Sequence, residues 1–182
     1  MRPRRIALTG TPGTGKSSVA RALARRVDCV EVGELARRAG AAKGEDRSTT
    51  VDLGRLGRYL RAHRGLDGTE VVVGHLAHLL PIRDVVLLRC NPRVLEQRLA
   101  RAHRGSPRER RENALAEAVD LILVEALERR RRIWEVDATR RTVTQVAREV
   151  EAIIGRRPRP RWGQVHWLTD PGVTAHLLPR PR

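Results

Sequence analysis

Gly10-Thr11-Pro12-Gly13-Thr14-Gly15-Lys16-Ser17 follows a short apolar run, Arg5-Ile6-Ala7-Leu8-Thr9, and opens a stretch of helical character over residues 16–26. The octapeptide fits G-x-x-x-x-G-K-[ST], and each fixed position has a physical purpose. Glycines let successive backbone N–H groups curl round a phosphate with no Cβ in the way. The helix that follows adds the positive end of its dipole. An ammonium at position 16 reaches the outer phosphates as a compact charge, and the Ser17 hydroxyl suits Mg²⁺. Lys16 and Lys43 are the only lysines; every other basic residue is Arg. A chain that uses Arg almost everywhere keeps Lys where a rotatable point charge is needed. Strand, glycine loop and helix in this order predict a phosphate-binding loop at the first strand of an α/β domain.

Outward from the loop, the apolar pattern alternates strands and helices. Cys29–Val32 reads as a second strand, residues 34–39 as a short helix and residues 40–50 as a loop. Leu53, Leu56, Leu60 and His63 form a helical stripe, and Gly65 to Gly68 a turn. Val71–Val73 and Val85–Arg89 are continuous apolar runs, as expected of strands covered on both faces. Helices are predicted over 93–103 and, on the stripe Leu115, Val119, Ile122, Leu123 and Leu127, as one long element over 108–131. Arg129–Arg132 at its end offsets the helix dipole. Ile133–Val136 reads as a fifth strand and 142–154 as a last amphipathic helix. The prediction is a five-stranded parallel sheet flanked by helices. It occupies residues 1–155 and is followed by a basic C-terminal extension, 156–182.

The composition agrees and sets limits. The chain of 182 residues suits one domain. Aromatic residues are 2% with no Phe, so the core must be Leu, Val, Ile and Ala. No apolar stretch is long enough to span a membrane, and Met1-Arg-Pro-Arg-Arg does not begin a signal peptide. Cys29 and Cys90 lie in apolar runs and lack zinc-ligand spacing, so both read as buried thiols. No Gly-x-Ser-x-Gly elbow occurs. A cytoplasmic protein, with no obligate oligomer implied, is the expectation. The net charge of +16 points to a polyanionic partner. Within the extension, Arg156-Arg-Pro-Arg-Pro-Arg-Trp162, followed by Trp167, interleaves Arg and Trp in a manner suited to RNA.

Further segments narrow the reading: Val32-Gly-Glu-Leu-Ala-Arg37, Gly74-His-Leu-Ala-His-Leu-Leu-Pro81, Val86-Leu-Leu-Arg-Cys-Asn-Pro92, Glu112-Asn-Ala-Leu-Ala-Glu117 and Trp134-Glu-Val-Asp-Ala-Thr139. In this order, over about residues 5–154, they resemble the adenylate kinase isoenzyme 6 family, archaeal members included. The resemblance implies a P-loop NTPase fold with a nucleoside monophosphate (NMP)-binding segment at about 33–55 and a lid at about 103–113. It implies transfer from ATP to AMP or another nucleoside monophosphate, with Mg²⁺, and a monomer. It also implies ATP hydrolysis and a role in small ribosomal subunit maturation, with a small-subunit ribosomal protein and ribosomal RNA as partners.

The same resemblance assigns residues. Gly13, Thr14, Gly15, Lys16, Ser17 and Ser18 would hold ATP, and Ser17 the metal. Arg104 would contact ATP from the lid, beside Arg108, Arg110 and Arg111. Arg37 would meet the acceptor phosphate, and Arg141 would lie near the adenine. His75 would take part in catalysis, whereas His78 reads as structural and Lys43 as a surface loop residue. The family carries an Asp two residues before that His; here the position is Val73. Either another acid takes over, or Mg²⁺ is held by Ser17, phosphates and water alone. Asp84 and Asp137 are not obviously placed to help. The departure bears more on hydrolysis than on transfer, which depends chiefly on positioning and positive charge. An ATP-switched assembly factor with little kinase turnover is the alternative.

Overall fold

The computed structural model describes residues 4–43, 50–63 and 69–178. In chain order the elements are β1 (Arg4–Thr9), α1 (Lys16–Leu23), β2 (Asp28–Glu31), α2 (Val32–Arg38), the two-residue strands β3 (Ala42–Lys43) and β4 (Thr50–Val51), α3 (Leu53–Ala62), β5 (Thr69–Val73), β6 (Asp84–Arg89), α4 (Pro92–Arg101), α5 (Pro107–Ala118), α6 (Leu121–Glu128), β7 (Arg132–Asp137), α7 (Val143–Arg156) and α8 (Pro171–Leu177).

Five of the strands form one parallel sheet in the order β2-β5-β1-β6-β7. Alternation along β1 explains the two covered faces. Ile6 and Leu8 pack with Val19 and Leu23 of α1 and Val150 of α7. Ala7 packs with Leu35 of α2, Leu56 and Leu60 of α3 and Leu123 of α6. β6 repeats the arrangement, Val86 and Leu88 on the first face and Val85 and Leu87 on the second. Each such buried Leu or Val contributes about 2 kcal/mol. Strand order reverses at β1, so a crevice opens beside its carboxyl end, where α/β sheets take their ligands.

Three expectations meet a different structure. The predicted long helix over 108–131 is two helices, α5 and α6, broken at Asp120, which adopts a left-handed conformation (φ 56°). Its carboxylate is held by the buried Arg89 guanidinium. Leu115 and Val119, counted towards one stripe, are 40% and 54% exposed. The loop over 40–50 contains the paired residues of β3 and β4, with residues 44–49 outside the described range. The Gly65–Gly68 turn also lies outside it.

The third concerns the basic extension, read as an appendage. Arg161 makes a parallel bridge to Trp134 on the outer edge of β7. The Trp134 indole donates to the Pro158 carbonyl (2.9 Å), and the Gln164 amide donates to Glu135 (2.9 Å). In α8, Val173 and Leu177 are buried against Ala114 and Ala118 of α5, with Trp167 packed beside them. Trp167 is thereby docked rather than offered for base stacking, while Trp162 is 49% exposed. Residues 179–182 lie outside the description.

Candidate functional site

The phosphate loop joins β1 to α1 at the crevice. Gly10 has φ 143°, and a Cβ there would lie 2.4 Å from the Leu88 carbonyl oxygen. Gly15, at φ 99°, occupies the N-cap of α1 and turns the loop into the helix. No other residue type fits either position without strain. The loop is tied internally by the Thr11 carbonyl, which accepts from the Thr14 amide (3.2 Å) and the Thr14 hydroxyl (2.9 Å).

A cleft of about 590 Å³ lies over this loop. Gly13, Thr14, Gly15, Lys16, Ser17 and Ser18 line it, together with His75, Arg104 and Arg141. The Lys16 ammonium is buried and donates to the carbonyls of Gly10 (2.7 Å) and Thr11 (3.0 Å). Burial lowers its pKa to about 8, Glu117 and Glu31 oppose the shift, and Arg104 adds to it. His75 is exposed at the rim of the cleft, and partial desolvation, with Lys16 and His78 nearby, disfavours the imidazolium. The cleft thus presents a positive floor and a neutral imidazole, a setting for a polyphosphate.

The expected lid covers about residues 103–113. Residues 102–106 form a short turn between α4 and α5, closed by a capping box of Ser106 and Glu109. Of the four arginines read there, Arg104 alone lines the cleft. Arg108 pairs with Glu112, Arg110 donates to the Gly105 carbonyl, and Arg111 donates to the His176 carbonyl of α8. Arg37 is exposed on the last turn of α2 and is not among the residues lining the cleft. Arg141 lines the cleft and is also ion-paired with Glu149. His78 is buried between Thr9 (3.2 Å) and Glu125 (2.7 Å), as a structural histidine would be. Lys43 is exposed, and both cysteines are free.

A family model described as an AAA domain matches residues 6–120. A protein of Archaeoglobus fulgidus named "Putative adenylate kinase" is 42% identical over 171 residues, 91% of this chain and 92% of that one. One of Methanocaldococcus jannaschii with the same name is 32% identical, over 90% of this chain and 92% of that one. The chain belongs to this family of archaeal adenylate kinase-like proteins. Among solved structures, shikimate kinase from Bacteroides thetaiotaomicron aligns with a TM-score of 0.52 at 19% identity, over 82% of this chain and 97% of that one. That likeness is one of fold, a P-loop kinase sheet flanked by helices.

Within the adenylate kinase-like family, this chain places an acid where sequence reasoning saw none. Glu31 ends β2 directly opposite Val73 of β5, lines the cleft and acts on Lys16 through its charge. Asp84 and Asp137 are elsewhere. Asp84 sits at the amino end of β6, held by Arg4 and Arg132, and Asp137 accepts from the Thr139 amide (2.8 Å). Among the described residues no group of three or more His, Cys, Asp or Glu could hold a metal unaided. The donor set suits Mg²⁺ carried in with a nucleotide: a serine hydroxyl at the loop and one carboxylate nearby. Sequence reasoning also missed Arg98, whose guanidinium donates to the carbonyls of Ala138 (2.9 Å) and Thr139 (3.0 Å) and braces the loop after β7. Among the described residues no helix is long and apolar enough to cross a membrane.

Proposed function

We propose that the protein is an adenylate kinase, transferring the γ-phosphoryl group of ATP to AMP and yielding two ADP. The observation that supports this best is the convergence of the loop amides, Lys16, Arg104 and Arg141 on one cleft. An oxygen of the AMP phosphate attacks the γ-phosphorus, and the bond to the β–γ bridging oxygen of ATP breaks. Charge spreads over the moving group, and fixed cations around it lower the barrier. Lys16 neutralises the outer phosphates, Arg104 closes over them, and Arg141 with the Arg98-braced loop orients the base. Arg37, exposed on α2, receives the acceptor phosphate through its guanidinium fork. His75 orients water or substrate as a neutral hydrogen-bonding group. Mg²⁺, when bound, supplies further charge neutralisation; Ser17 would hold it, with Glu31 taking the part of the acid missing at position 73. Product analysis with ATP, Mg²⁺ and each nucleoside monophosphate tests the reading. ADP formed with AMP alone supports it, and ATP bound without turnover by any acceptor overturns it.

Two consequences are measurable. With Lys16 near pKa 8 in the free protein, the ammonium is charged below that pH, and bound phosphates hold its proton more tightly still. Above pH 8 the free loop has lost the proton and must regain it on binding. ADP affinity therefore falls as pH rises from 8 to 9.5, with net proton uptake by calorimetry in buffers of different ionisation enthalpy. Affinity constant over that range, without uptake, contradicts the assignment. For Glu31→Gln, the gain in ADP affinity given by Mg²⁺ shrinks about tenfold. A full Mg²⁺ effect in that variant leaves Ser17, phosphates and water as the sufficient set.

The second reading, an ATP-switched factor of ribosome assembly, draws on the exposed segment 156–162 and the charge of +16. Salt-sensitive binding to ribosomal RNA that changes with ATP would favour it over turnover as the main role.

A further inference from the structure

We propose that Glu117 positions the phosphate loop, and that Trp167 of the C-terminal extension belongs to the same device, so that nucleotide at the loop and docking of the extension favour each other. The proposal rests on the reading of the loop as a nucleotide site.

Glu117 is 3% exposed on α5, 106 residues beyond Thr11 in the chain. Its two carboxylate oxygens have different partners. Oε2 accepts from the Thr11 hydroxyl at 2.5 Å. Oε1 accepts from Arg89 Nε (2.8 Å), the Cys90 amide (3.1 Å) and the Trp167 indole N–H (3.2 Å). An acid needed only to neutralise Arg89 would require neither Thr11 nor Trp167. Thr11 is the residue whose carbonyl ties Lys16 and Thr14 into the loop. The hydroxyl bond to Glu117 therefore fixes the orientation of the peptide on which the loop is built. Trp167 reaches the same carboxylate from the far side, carried by the segment that α8 clamps to α5. Loop, α5 and extension meet on one buried group that cannot shift for one partner without disturbing the others. Coupling of this kind is reciprocal: whatever nucleotide gains from a docked extension, the extension gains from bound nucleotide.

The test uses the full chain and ADP as the probe. Three indoles report separately in a proton–nitrogen spectrum, and Trp167→Phe identifies its own signal while keeping an aromatic ring in place. The expected result is a Trp167 indole shift that saturates with ADP binding measured by calorimetry. Thr11→Val weakens ADP about three- to tenfold, the range one hydrogen bond covers, and abolishes that shift. Thr11→Ser restores both, which a packing defect at position 11 would not. Trp167→Phe weakens ADP within the same range with the sheet intact by circular dichroism. Wild-type ADP affinity in both Thr11→Val and Trp167→Phe, or a Trp167 signal unmoved at saturation, overturns the proposal. If the wild-type chain binds no ADP, the nucleotide reading itself falls and takes the coupling with it.

Discussion

Lys16→Ala abolishes ADP formation from ATP and AMP while the protein stays folded. The loss in kcat is at least about 10²- to 10³-fold, the scale of removing one fixed stabiliser of transition-state charge. The second half of the expectation follows from how Lys16 is held. Its ammonium is buried and bonded only to the carbonyls of Gly10 and Thr11 among the described residues, and burial lowers its pKa to about 8. A cation kept from water in this way is a cost to the fold, recovered only when phosphates arrive. The variant should melt no lower than the wild type. Retained turnover would remove Lys16 from the reaction, and a collapsed melting temperature would show that the loop needs it structurally.

Arg89→Met should give the largest loss of stability. Arg89 is 1% exposed and bonds Glu117 (2.8 Å), Glu135 (2.6 Å), Asp120 and the Glu117 carbonyl (3.1 Å). Removing the guanidinium leaves Glu117 and Glu135 buried with no cation between them. Breaking a buried pair from one side costs about 3–5 kcal/mol. For a chain of this length that is a fall of roughly 6–20 °C in Tm. Arg89→Lys should recover only part of it, because one ammonium cannot serve the geometry of a planar fork. A thermal melt within 2 °C or so of wild type would mean that the three acids are held by other contacts.

The sheet and the phosphate loop were legible because local chemistry and global fold agree there. The glycine spacing, the preceding apolar run and the uninterrupted Val-rich strands all have one physical solution, a buried parallel sheet with a loop at its central strand. The break at Asp120 was not legible. No Gly or Pro marks it, and its cause is Arg89, far away in sequence. Glu117 was visible only as the end of a family-like segment, since nothing in its spacing tells of Thr11 or Trp167. Glu31 escaped notice because its place depends on strand register: β2 and β5 lie side by side with Glu31 level with Val73. The docking of Trp167 was not decided by the sequence, because Arg–Trp interleaving describes an exposed strand of chain equally well whether or not a helix beyond it is docked.

The bridge between Arg161 and β7 has a bearing on how the edge of the sheet is guarded. A strand at the border of a sheet presents free amides and carbonyls to any other strand that comes near. Here the Glu135 amide and the Ile133 carbonyl are engaged by Arg161 itself (both 2.9 Å). β7 precedes the segment that shields it by some two dozen residues in the chain, so its edge groups are guarded only once that segment has docked. The prolines at 158 and 160 suit that shielding segment, since neither has an N–H with which to recruit a further strand. The extension thus acts as a selvedge: it finishes the fabric of the sheet and keeps it from being sewn to its neighbours.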